Sequence, residues 1–101
     1  MVRRSKNWNE GLAEDLKDRD FAKEFIMASL EEGISLQVTL GKVLRAYGVK
    51  EFAKLTKIAG PNLLRAVNPK HNPTQETLDR MLRPFSLTLA VAPIQSKKKA
   101  A

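Results

Sequence analysis

Between Val49 and Asn68 the chain reads VKEFAKLTKIAGPNLLRAVN, and this stretch concentrates side chains suited to a polyanion rather than to a reaction. Arg65 carries a planar fork of donors that can pair bidentately with guanine, and the amides of Asn62 and Asn68 can do the same with adenine. Lys50, Lys54, Lys57 and Lys70 stand around them as point charges that can meet phosphates, contacts that position a protein on a duplex without reading its sequence. Gly60 and Pro61 open the second half of the stretch, where a helix start leaves N–H groups free for a phosphate oxygen.

Residue sets for other chemistry are missing. His71 is the single histidine and sits in the loop KHNP, residues 70–73, where a surface or phosphate-contacting role is expected rather than catalysis. There is no HExxH, no Gly-rich phosphate loop and no Ser/His/Asp set. The acidic runs EDLKDRD, 14–20, and EE, 31–32, read as a solvated face before they read as a metal site. No enzymatic activity, metal or cofactor is expected. A small basic ribonuclease would need an acid/base and a cationic clamp in one cleft, which a mainly helical chain does not easily build.

The elements that must position the basic stretch have to come from a chain of 101 residues, one domain's worth and enough for one modest core. With 43% hydrophobic and 29% charged residues, the chain is globular rather than disordered. No apolar run approaches the roughly 20 residues of a membrane span. The opening MVRRSKNWNEG has no apolar segment after its basic residues, so no secretory signal is read, and a cytoplasmic protein is expected. The absence of cysteine excludes disulfides, thiolate metal sites and a Cys nucleophile. The net charge of +7 is unevenly spread. Residues 1–33 hold 6 Lys/Arg against 8 Asp/Glu, residues 34–73 hold 7 against the single acid Glu51, and residues 74–101 hold 5 against 2. The basic excess therefore centres on the stretch quoted first, as a nucleic-acid footprint requires.

Periodicity supplies an all-α frame of five to six helices. Residues 1–7 read as a loose arm, and Trp8 to Leu16 as a short helical segment tucking Trp8, Leu12 and Leu16 onto the body. Asp18 or Asp20 caps a helix running to about Glu32, with Phe21, Phe25, Ala28 and Glu32 on one stripe, Ala22, Ile26 and Leu30 beside it, and Gly33 closing it. Ser35 caps a helix whose Leu36, Leu40, Val43, Leu44 and Tyr47 give the clearest helical period, stopped by Gly48. A short helix from Val49 to Lys57 follows, then a second opened by Pro61 at its first turn, with Leu63, Leu64 and Val67 apolar, ended by Asn68-Pro69. Thr74 caps a last helix carrying Leu78, Met81, Leu82 and Phe85, which Pro84 ends. In SLTLAVAP, 86–93, Leu87, Leu89 and Val91 alternate with Ser86, Thr88 and Ala90, a strand pattern. A lone strand needs a partner for its backbone, so the same strand of a second copy is expected to pair with it across a homodimer axis. The organisation expected is an N-terminal arm over 1–17, a helix-turn-helix domain with a C-terminal dimerisation strand over 18–92, and a basic disordered tail over 93–101.

Two short helices joined by a tight turn need a small residue where they meet, and Ala53 is placed for it, with Phe52, Ile58, Leu63 and Val67 flanking and Ala66 as a small inner contact. The parts DLKDRDFAKEFIMASLEEG, LGKVLRAYGV, EFAKLTKIAGPNLLRAVNP and NPTQETLDRMLRPFSLTLAV, from about Leu16 to Val91, resemble the small HigA-type antitoxins of addiction modules, within the phage Cro and repressor helix-turn-helix class. The family has a Gly where Lys57 stands, a Ser where Ala59 stands and a helix-compatible residue where Pro84 stands. The resemblance implies a dimer that binds double-stranded DNA, represses its own operon and neutralises a RelE-type ribonuclease toxin. A phage-like repressor without a toxin partner shares the same DNA chemistry.

Overall fold

A computed structural model describes residues 8–93; the expected arm over 1–7 and residues 94–101 of the expected tail lie outside them. Six α-helices follow one another: α1, Trp8–Leu16; α2, Arg19–Glu31; α3, Leu36–Tyr47; α4, Val49–Thr56; α5, Gly60–Ala66; and α6, Gln75–Leu82. A 3-10 turn, Arg83–Phe85, ends the last.

Side chains and glycines set the boundaries. Asp18 caps α2, its carboxylate accepting the N–H groups of Asp20 at 2.9 Å and Phe21 at 3.3 Å. Ser35 accepts the N–H of Val38 at 3.2 Å, and Thr74 that of Thr77 at 3.1 Å, so α3 and α6 begin at the predicted caps. Gly48, at φ +91°, is the whole connection between α3 and α4, and only glycine takes that backbone cheaply.

Helix α3 is the axis, packed by α1, α2 and α4. Of the residues its spacing marks it buries Leu40, Val43, Leu44 and Tyr47, and Leu36 packs half-buried. Tyr47, Phe52 and Phe85 form an aromatic cluster with ring centroids 5.7–6.2 Å apart, joining α3, α4 and the 3-10 turn. The Tyr47 hydroxyl donates to the Lys17 carbonyl at 3.0 Å, fixing the α1–α2 link, and burial pushes its pKa up.

Two expectations need correcting. On α2 the buried face is Ala22, Ile26 and Ser29, not the stripe through Phe21, Phe25, Ala28 and Glu32. Ala22 and Ile26 are wholly buried and Ser29 nearly so, while Phe25 is half-buried and Phe21, Ala28 and Glu32 are exposed. Met27 and Leu30 are exposed on the same helix.

The second correction is the C-terminal strand, since no strand forms among the described residues. Ser86, at φ +61°, turns the chain back after the 3-10 turn, and the segment then lies against its own helices. Asp79 of α6 takes over the role expected of a partner strand. Its carboxylate accepts the Thr88 hydroxyl, the Leu89 N–H at 2.9 Å and the Arg83 Nε at 2.9 Å. Leu87 and Leu89 pack half-buried on the core, and Val91 stays 90% exposed. Alternation needs one apolar surface, and a helix face supplies it as well as a sheet does.

Among the described residues no helix is long and apolar enough to cross a membrane.

Candidate nucleic-acid interface

The α4–α5 unit is built on a buried floor. Phe52 and Leu63 are wholly buried, Ile58 and Ala66 nearly so, and Ala53 and Val67 pack half-buried beside them. The α4 backbone closes at Lys57, which adopts the left-handed conformation, φ 61° and ψ 35°, and donates its N–H to the Ala53 carbonyl at 2.8 Å. A side-chain-bearing residue thus stands in a conformation that glycine takes more cheaply. Buried Thr56 donates its hydroxyl to the Phe52 carbonyl at 2.8 Å, inside the last turn of α4.

Helix α5 is seven residues long. Pro61 has no N–H, and the N–H groups of Asn62 and Leu63 both donate to the Ala59 carbonyl at 3.0 Å. The helix start therefore offers a phosphate only the N–H of Gly60. Gly60 has a packing role instead: a Cβ there would meet Val49 Cγ1 at 3.0 Å, so its bare Cα lets α5 lie close against the first turn of α4. With Leu63 and Ala66 turned inward, Pro61, Asn62, Leu64 and Arg65 are all exposed on the outer side.

Asn68 behaves differently from Asn62. Its Oδ1 accepts the Lys70 N–H at 2.9 Å, which commits the acceptor half of the amide to its own turn, and the residue is half-buried. Lys50, Lys54, Lys57 and Lys70 are exposed. Behind the turn, the Gln37 side-chain amide lies 2.9 Å from the Ala66 carbonyl, 3.2 Å from that of Asn68 and 3.0 Å from that of His71. One side chain of α3 thereby fixes the end of α5 and the loop after it.

That loop walls a cleft of about 350 Å³ between α5 and α6. Asn62, Arg65, His71, Asn72, Thr77 and Arg80 line it, and no carboxylate does. Arg80 has Glu76 only at 4.0 Å, with both side chains more than half exposed, a weak tie that leaves the guanidinium available. The cleft suits a phosphate oxygen beside the outer face of α5.

Sequence spacing brings Lys50, Lys57, Gly60, Asn62, Arg65, Asn68 and Lys70 to one unit, and the fold adds Gln37, Asn72, Thr77 and Arg80. No local pattern signals the addition, because residues 65 and 80 lie on different helices and meet only through tertiary packing. Among the described residues, no group of three or more His, Cys, Asp or Glu side chains could hold a metal ion. Comparison with protein-family models, with curated proteins and with solved structures gives no match in any of the three.

Proposed function

We propose that this chain is a sequence-specific binder of double-stranded DNA that enters the major groove with the outer face of α5, as the DNA-binding half of an antitoxin-type regulator. One observation carries the reading: Asn62 and Arg65 stand exposed above buried Leu63 and Ala66, within residues 34–73, which hold seven cations and one acid. Arg65 reads guanine and Asn62 reads adenine. Lys50, Lys54, Lys57 and Lys70 meet phosphates, and Arg80 with His71 holds one more at the cleft.

Two side chains on a seven-residue helix read only a few base pairs, so a homodimer on a two-fold site supplies the missing specificity. A second protein partner belongs to the same proposal. Glu14 and Asp15 of α1 and Asp20, Glu24 and Glu31 of α2 are exposed, as are Met27 and Leu30 on α2, and these groups suit a basic protein such as a RelE-type toxin. The work this implies, repressing an operon and holding a toxin, is that of a cytoplasmic protein. A phage-like repressor is the same reading without the second partner.

The test is selection of duplexes from a random library on the full chain, followed by titration of the selected and a scrambled duplex. The proposal expects an enriched motif and an affinity that falls with salt by a log–log slope of about −0.9 per phosphate contacted. No enriched motif together with no salt-dependent binding would remove the DNA reading. A small basic protein encoded beside this chain and co-purifying with it would separate the antitoxin from the phage-like form.

A further inference from the structure

The outer face of α5 carries one side chain that neither hydrogen-bonding nor phosphate contact explains. Leu64 is 51% exposed in the middle of the helix, flanked in space by Pro61 one turn before it and by Arg65 beside it. The helix has other places for apolar residues: Leu63 and Ala66 fill its inner side almost completely. Leu64 is not a spare core residue displaced outward, since Ile58, Leu63 and Ala66 already close the floor beneath it.

An apolar side chain pressed into a major groove must meet an apolar group or leave polar base edges dehydrated and unpaired. Among the four bases only thymine presents one there, the C5-methyl group. Resting on the DNA-binding reading above, we infer that Leu64 is a specificity-determining residue that packs against a thymine C5-methyl, next to the base that Arg65 contacts. Sequence choice by α5 is then mixed: a guanine read by donors, an adenine read by an amide and a thymine read by its methyl.

The contact has a removable partner on the DNA side. Each thymine of the selected duplex is replaced singly by deoxyuridine, which deletes the methyl and keeps every hydrogen-bonding atom. One position should weaken binding by about three- to fivefold, the worth of one buried methyl. Leu64→Ala should bind the thymine duplex about as weakly as the parent binds the uracil duplex, and should no longer distinguish the two. Leu64→Gln, which restores length and adds an amide, should shift selection away from thymine at that position. Because Leu64 is half exposed, both variants should unfold cooperatively and remain folded at the assay temperature.

The outcomes separate the two claims. An enriched motif with no uracil-sensitive position overturns the Leu64 assignment and leaves α5 as the reading helix. Uracil sensitivity that persists in Leu64→Ala gives the methyl to another residue and also overturns it. No motif at all overturns the DNA reading and this inference together.

Discussion

The first two helices and the α4–α5 unit of this small fold differ in charge. Helices α1 and α2 expose acids along with Phe21, Met27 and Leu30, while α4, α5 and the loop to α6 expose cations and amides along with Leu64. They share a single core through α3, whose far end holds α1 by Tyr47 and whose near end holds the α5 loop by Gln37. The acidic and the basic excess thus lie on different helices around one core.

Removing Arg65 should break the comparison most sharply. Arg65→Ala should cost about 1–3 kcal/mol on the selected duplex, five- to 150-fold, and much less on scrambled DNA, read by fluorescence anisotropy. Equal losses on both duplexes would make Arg65 a phosphate contact. The opposite end is altered by Glu14→Gln, Asp15→Asn, Asp18→Asn and Asp20→Asn together, Asn at position 18 keeping the cap on α2. At about 0.2–1 kcal/mol for each exposed charge pair, binding of a basic protein partner should fall about tenfold, measured by calorimetry, while DNA affinity holds. A parallel loss of DNA binding would show that the two ends are not separate.

A smaller effect sharpens the basic end alone. Lys57→Gly relieves the left-handed conformation and should raise stability by about 1 kcal/mol, a Tm rise of roughly 4–8 °C. The same change removes one phosphate contact and should reduce the salt slope by about 0.9. Stability and salt dependence moving together would place residue 57 at both the turn and the phosphate.

The smallest effect lies where the C-terminal segment docks. Hydrogen bonds from Thr88, Leu89 and Arg83 hold the Asp79 carboxylate down to about 2. A carboxylate lowered in the folded state stabilises above its ordinary value and loses that contribution as pH falls through its folded one. Docking of Thr88 and Leu89 should therefore hold above pH about 4 and loosen toward about 2. Exchange of the Leu89 amide should report it, and Asp79→Asn should abolish the pH dependence.

Much of this architecture is written locally. The period of Leu40, Val43, Leu44 and Tyr47, the caps Ser35 and Thr74, and Pro61 at the start of α5 each act within one helix, so the chain states them outright. The inward face of α2 is not written locally, because Phe21 and Ala22 lie about 100° apart on a helix, and only the spacing between helices decides which goes inside. Residues 86–93 carry a true alternation, but what answers it is Asp79, seven residues before the segment begins. The exposed pair Asn62 and Arg65 was legible from the turn between α4 and α5, whereas the commitment of Asn68 to its own turn and the cleft with Arg80 exist only once α6 has packed.

The most direct test of the central claim is an amide NMR titration of the full chain with the selected duplex. Perturbations concentrated on Lys50–Lys70 and on the cleft through Arg80, with α1 and α2 nearly still, are the predicted result. Shifts centred on α2, or none along α5, would contradict it.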